Sequence, residues 1–252
     1  TDDGSCIYLA TISTIPNTNI TDNSASSGGI ISSDGGQAVT LRGVCWSTSP
    51  NPTIANDTTI NGSGTGTFSS NISGLSALTT YYVRAYATNI NGTAYGDELS
   101  FTTPPPIGTN HQGGIIFYFD GNGGGLIAAP SDQSNGAEWG CYGTDISGAD
   151  GQLMGAGYQN TIDIVTGCPV AGIAADICAN LTLNGYSDWF LPSYEELYEM
   201  YLNKAAIGGF ATNYYWSSSE FSTNFAWALN ISGHFEYGTK GNSMGVRAIR
   251  AF

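Results

Sequence analysis

Along the first part of the chain, apolar and polar residues alternate with a period of two in short runs. The runs are separated by clusters of Gly, Asn and Ser. Successive side chains of a strand point to opposite faces, so this pattern predicts an antiparallel β-sandwich whose inner faces are buried. Tyr81, Val83, Ala85 and Ala87 fall on one face of a predicted strand, and Tyr82, Arg84 and Tyr86 on the other. Leu75, Thr79 and Tyr81 have the spacing of a tyrosine corner, in which the phenol oxygen bonds backbone upstream. The alternation stops at Thr102-Thr103-Pro104-Pro105-Pro106-Ile107-Gly108. Consecutive prolines lock φ and cannot enter a sheet ladder, which predicts a boundary. The expected organisation is a sandwich over 1–103 with a short N-terminal extension, a Pro-rich linker over 104–112 and a second domain over 113–252.

The second domain opens with a predicted strand, Gly113–Phe119, then Asp120-Gly121-Asn122-Gly123-Gly124-Gly125 and a further strand. Asp120 and Asn122 superficially suggest a calcium loop, but no closing bidentate carboxylate follows at the required distance, so a hairpin turn is predicted. The glycines of the stretch from Trp139 to Gly157 do not sit between strand and helix as a phosphate cradle would need. A helix is predicted near 171–181, where Ile173, Ile177 and Leu181 are spaced by four. Another opens at Ser193: Pro192 lies just ahead, Glu196 completes a capping box, and Leu197, Met200 and Tyr201 share a face. Glu195, Glu196 and Glu199 sit where the positive end of the helix dipole favours them, a structural role rather than a catalytic one. Beyond Tyr214 the pattern is strand, turn, strand. Phe225, Trp227, Leu229 and Ile231 alternate with Ala226, Ala228, Asn230 and Ser232, and Val246–Phe252 forms the last strand. Trp216 and Trp227 are expected as core anchors.

Composition narrows the class. The chain of 252 residues is 41% hydrophobic but only 10% charged, and it holds 35 glycines. Ordinary soluble domains are roughly 25% charged, so this composition suits a turn-rich extracellular β protein better than a cytosolic enzyme. Six basic against twenty acidic residues leave a net charge of −14. Nucleic-acid affinity comes from Lys and Arg neutralising phosphates, so that partner is excluded. Anionic membrane surfaces are disfavoured for the same reason. No apolar run reaches the length of a membrane span, and no membrane insertion is expected. The start at Thr1-Asp2-Asp3 suits a processed product or a piece of something longer. Five cysteines leave one over. None has metal-ligand spacing, and His111 and His234 are too few for a zinc site, so no metal and no cofactor is expected. Cys168 and Cys178 flank a short turn and are favoured as a disulfide, two buried thiols being the alternative. Cys45 is expected in the core.

Residues 7–103 resemble a bacterial fibronectin type III-like domain. The stretches that carry this are Gly28-Gly29-Ile30-Ile31, Arg42-Gly43-Val44-Cys45-Trp46-Ser47, Gly64-Thr65-Gly66-Thr67-Phe68 and Tyr81-Tyr82-Val83-Arg84-Ala85-Tyr86-Ala87. Residues 113–252 resemble a bacterial family of C-type-lectin-like fold. It includes the Fibrobacter-type major paralogous domain and the C-terminal domain of collagen-like adhesins. The motifs are Asp188-Trp189-Phe190-Leu191-Pro192-Ser193, Tyr215-Trp216-Ser217-Ser218-Ser219-Glu220 and Val246-Arg247-Ala248-Ile249-Arg250. The implied fold class is mostly β: an antiparallel sandwich followed by an α+β lectin-like domain. The resemblance implies a secreted or bacterial cell-surface protein without catalysis. The calcium-dependent lectin motif is missing, the nearest text being Trp227-Ala228-Leu229-Asn230. Related diversified receptors place ligand contacts around the last strands, which implies Tyr214, Asn224, Phe225, His234 and Tyr237 here, with Asn213 nearby.

Three functions are weighed. The first is a non-catalytic adhesin recognising a glycan or a surface protein. The second is a self-assembling subunit of a filament or surface layer, in which Thr1–Leu9 pairs with the sheet edge of another copy. The third, an enzyme, needs a nucleophile with its base or a metal cluster. No such group is evident, since the motif-borne carboxylates Asp188 and Glu220 have uses as turn and strand-end caps. Seven Asn-X-Ser/Thr sequons occur, and Asp57-Thr58-Thr59 resembles a bacterial O-glycosylation motif. Thr58, Asn61, Asn71 and Asn91 are therefore candidate glycan sites on a glycoprotein.

Overall fold

The period-two alternation becomes a sandwich of two antiparallel sheets. Its strands are β1 (Thr11–Thr18), β2 (Ser24–Ser33), β3 (Leu41–Ser47), β4 (Asp57–Thr58), β5 (Gly66–Ser73), β6 (Thr80–Asn89), β7 (Gly92–Tyr95) and β8 (Leu99–Thr102). One sheet has the order β1-β2-β5; the other has β4-β3-β6-β7, with β8 also on β6. The last two strands are halves of one edge strand: Asn89 faces Gly92 and Val83 faces Leu99, so the register slips by one residue between them. The computed structural model describes residues 8–211 and 214–252. It divides into two compact units, Thr1–Pro106 with Phe119–Gly124, and Ile107–Tyr118 with Gly125–Phe252. Cys6 and Asn213 lie outside the described residues.

The sandwich core holds Ile31, Val44, Trp46, Phe68, Ile72, Tyr81, Val83, Ala85 and Phe101. Tyr81 is the tyrosine corner, its phenol oxygen accepting the Ser76 amide at 2.9 Å. Gly43 is required by close approach, because a Cβ there would collide with the Thr59 carbonyl and the Tyr86 ring. Cys45 is fully buried, as expected of a small core residue. Burial pushes its thiol up to about 11, so the group stays a neutral thiol at physiological pH.

The second unit contains β9 (Asn110–His111), β10 (Gly114–Phe119), β11 (Gly125–Ala128), β12 (Ser134–Ala137), α1 (Gly157–Gly167), α2 (Ala174–Ala179), α3 (Tyr194–Leu202) and α4 (Lys204–Ile207). It closes with β13 (Tyr214–Ser222), β14 (Phe225–Asn230), β15 (Phe235–Thr239), β16 (Met244–Val246) and β17 (Ile249–Ala251). One sheet has the order β17-β11-β10-β9 and the other β12-β16-β13-β14-β15. The protein is thus mostly β, a sandwich plus an α+β domain. Asp120 makes the turn between β10 and β11, its carboxylate accepting the Asn122 and Gly124 amides at 2.7 and 3.1 Å.

Ser193 caps α3 with the full capping box. The predicted helix near 171–181 is shorter, Ala174–Ala179, and Leu181 lies outside it. The longest helix, α1, went unpredicted. Its sequence Gly-Tyr-Gln-Asn-Thr-Ile-Asp-Ile-Val-Thr-Gly is rich in β-branched residues and glycine, which are weak helix formers. Tertiary bonds hold it instead: buried Thr161 accepts the Leu191 amide at 3.0 Å, and Asn160 donates to the Gly151 carbonyl at 2.6 Å.

The cysteine pairing differs from expectation. Cys168 is bonded to Cys141, not to Cys178. Cys168 ends α1, and the Gly140 backbone runs directly beside its sulfur, bringing Cys141 within reach. Cys178 is instead a buried free thiol of α2, and burial pushes its ionisation far up. The sequence-adjacent pair was the wrong choice because the loop returns from further upstream.

Candidate functional site

The motif segments are internal staples. Trp139 donates its indole N–H to the Ser217 carbonyl at 2.9 Å, and Trp216 donates to the Ala137 carbonyl at 2.9 Å. Ser217 donates to the Trp227 carbonyl at 2.8 Å, and Ser219 to the Gly151 carbonyl at 2.7 Å. Ser217, Ser218 and Ser219 are fully buried, and each hydroxyl is satisfied internally, that of Ser218 by accepting the Asn160 side-chain amide at 3.2 Å. Glu196 is buried too, accepting the Ser193 amide at 2.7 Å and the Gly155 amide at 2.9 Å. Burial holds its carboxyl above the ordinary glutamate range despite those bonds. A Cβ at Gly157 would collide with that carboxylate, so glycine is required there. Glu195 accepts the Met154 amide at 2.9 Å. The glutamates at the helix start therefore position a loop.

The motif carboxylates have cationic partners rather than serving only as caps. Glu220 pairs with Lys240, and Asp188 with Arg250. Asp132 pairs with Arg247 at 2.7 Å. Every cation of the chain is engaged in this way or by backbone. Arg42 donates to the Asn61 and Thr65 carbonyls at 3.1 and 2.9 Å, and Arg84 to the Gly96 carbonyl at 3.0 Å. Lys204 donates to the Ile231 carbonyl at 2.7 Å. Each of the six also lies over an aromatic ring, from 3.9 Å for Arg250 on Tyr186 to 5.2 Å for Arg42 on Phe68.

One surface of the second unit is aromatic. Strand alternation places Phe225, Trp227 and Leu229 of β14 opposite Thr239, Tyr237 and Phe235 of β15. Helix α3 adds Tyr194, Tyr198 and Tyr201, at the spacing that brings helix residues onto one face. Phe221 stacks on Tyr237 at 4.9 Å, and Trp227 meets Phe221 edge-on at 5.1 Å. Tyr194 then links Trp227 at 5.2 Å to Phe235 at 3.9 Å. Tyr198 reaches Phe235 at 5.4 Å and Tyr201 at 6.0 Å. The row remains in water at both ends: Tyr198 is 40% exposed, Phe221 49% and Tyr237 54%.

The structure brings together only part of the expected contact set. Phe225 and Tyr237 touch at 5.4 Å within the aromatic face. Tyr214 lies on the opposite face, where its hydroxyl bonds Glu236 at 3.2 Å. Asn224 is half-buried in the turn into β14, its carbonyl accepting the Lys240 amide at 2.9 Å. His234 is exposed in the β14–β15 turn, near Ser232 at 3.2 Å. Trp216 is the expected core anchor, but Trp227 is only half-buried and belongs to the aromatic face. Phe221, Phe235, Tyr194 and Tyr198 were missed. The alternation Phe225-Trp227 against Phe235-Tyr237 was the available signal.

Among the glycan candidates, Thr58 and Asn71 are exposed. Asn61 is not free: its Nδ2, which would carry a glycan, donates to the Ser69 carbonyl at 2.7 Å. Asn91 likewise donates to the Tyr8 carbonyl at 2.9 Å. A separate cleft of about 400 Å³ is lined by Tyr158, Thr161, Asp188, Trp189 and Phe190, with Asp188 held by Arg250.

The chain is therefore a two-sheet sandwich followed by a disulfide-closed α+β domain. Residues 131–250 match the family model of the Lcl C-terminal domain. The sixth fibronectin type III domain of human fibronectin type III domain containing protein 3 is similar at 24% identity, covering 44% of this chain and 99% of that one, with a TM-score of 0.33. The sensor domain of the anti-sigma factor RsgI4 of Pseudobacteroides cellulosolvens is similar at 18% identity, covering 39% of this chain and 98% of that one, with a TM-score of 0.30. No curated protein matches the chain.

Proposed function

We propose that the chain is a non-catalytic, extracellular adhesion protein. Its lectin-like C-terminal domain holds a glycan or protein against the aromatic face of β13–β15 and α3. The sandwich serves as a spacer. The observation that carries this is the connected row of rings whose ends, Tyr198, Phe221 and Tyr237, remain 40 to 54% exposed. Folding normally removes such contiguous apolar area from water, so a patch left exposed marks a contact surface. Aromatic side chains also offer much contact area at small entropic cost and keep a polar edge for hydrogen bonds. The Cys141–Cys168 bridge suits an oxidising compartment.

The test is binding of the full chain to glycan arrays and to immobilised matrix proteins, with Phe221→Ala and Tyr237→Ala alongside. The expected result is a bound partner that both substitutions weaken at an unchanged melting temperature. Binding indifferent to both would move the site elsewhere. Assembly of the chain with itself is the rival reading, and it predicts concentration-dependent polymers in light scattering. A net charge of −14 opposes it through self-repulsion at low ionic strength.

A further inference from the structure

The chemistry of the partner follows from where the charges lie. The chain has six Lys and Arg side chains. None is exposed: Arg42, Arg84 and Lys204 are half-buried and Lys240, Arg247 and Arg250 fully so. Each is committed to a ring and to carbonyls or a carboxylate within its own unit. A polyanion gains affinity by exchanging counterions for protein cations at each sulfate or phosphate. This surface has no free Lys or Arg to offer in that exchange.

The aromatic face also lacks strand carboxylates. Register places Glu220 opposite Ala226 and Glu236 opposite Ala228, on the far side of the sheet from Phe225 and Trp227. There Glu220 meets Lys240 and Glu236 meets Tyr214. A basic partner would therefore find no strand carboxylate among the rings. Lys204, the cation nearest the row, is occupied by Tyr201 and the Ile231 carbonyl. What remains on the strand side is a surface of flat rings edged by phenol hydroxyls, without a free cation or a strand carboxylate.

We propose that the occupant of this face is an uncharged polysaccharide, an inference that rests on the adhesion reading above. A pyranose presents a flat C–H face for stacking and a rim of hydroxyls for neutral hydrogen bonds, which matches ring and phenol edge. The row has two platforms that reach water, the Phe221–Tyr237 stack and Tyr198, which stacks on half-buried Tyr201. They are joined through half-buried Trp227, Tyr194 and Phe235. Two platforms on one row favour a polymer over a single sugar, because the second contact becomes intramolecular.

The experiment measures retention of the full chain on cellulose, chitin, mannan and arabinogalactan, and on heparin and alginate, at low and molar salt. Retention on at least one uncharged polymer, unchanged by salt, is expected, with none on heparin or alginate. Phe221→Ala, Tyr237→Ala and Tyr198→Ala each reduce it about tenfold, as loss of a stacked anchor does. A melting curve for each variant confirms folding. Salt-sensitive binding to heparin, or binding to a basic protein, that the ring substitutions abolish overturns the uncharged ligand yet leaves the face as the binding site. Retention that survives all three substitutions overturns both. No retention on any uncharged polymer overturns this proposal alone.

Discussion

The two units solve the same problem, a low-charge chain that must fold, by different means. The sandwich relies on an apolar core and neutral bonds: the Tyr81 phenol on the Ser76 amide, and Arg42 and Arg84 on carbonyls. The C-terminal unit contains the ion pairs Glu220–Lys240, Asp132–Arg247 and Asp188–Arg250, the disulfide and the buried Glu196. Regular ladders satisfy most backbone in the first. Long irregular loops in the second leave amides and carbonyls that only buried polar side chains can reach. The stability of the second unit should therefore respond to charge, redox state and pH, and that of the first should not.

Calorimetry resolving two transitions tests this contrast. The largest effect is expected from Lys240→Met, which strands the buried Glu220 carboxylate. Loss of one partner of a buried pair costs about 3–5 kcal/mol, all of it in the C-terminal transition. A comparable fall in the sandwich transition would break the contrast. Removing the bridge with Cys141→Ser and Cys168→Ser opens a loop of sequence separation 27. Chain entropy sets that cost at about 3.5 kcal/mol, again only in the second unit, and reductant should lower the same transition in the parent chain.

Tyr81→Phe sharpens the other side. It removes one bond and should cost about 1 kcal/mol in the sandwich transition alone. The smallest effect is that of pH. The folded value of Glu196 lies above its unfolded one, so the folded chain binds its proton more tightly. Its contribution then favours folding as pH falls through the raised value towards the ordinary glutamate range, and it is lost as pH rises again. Glu199, raised by burial too, acts in the same direction. Glu196→Gln should flatten this slope in the second transition and leave the first untouched.

Much of the fold was legible because local rules and global structure agreed. Ser193 and Glu196 form the capping box their spacing implies, and Tyr81 finds Ser76. Strand alternation along β6 places Val83 and Ala85 inside. Legibility failed where distant segments decide. Helix α1 is held by Leu191 and Gly151, and Cys168 pairs upstream with Cys141. Only Phe225 and Tyr237 of the expected contacts share the aromatic face. A period-two pattern says which residues share a side, but not which side is left uncovered.

By itself the sequence determined the two β-rich units, their turns, the capped helix and the negative charge, since propensity, spacing and composition act locally or additively. Tertiary structure alone decided that all six cations are tucked against rings and that the serine motif is buried. It also decided that the tyrosines of α3 meet the rings of β13–β15 in one row exposed at its ends. Those outcomes depend on which surfaces meet, and contacts between distant segments leave no period in the chain.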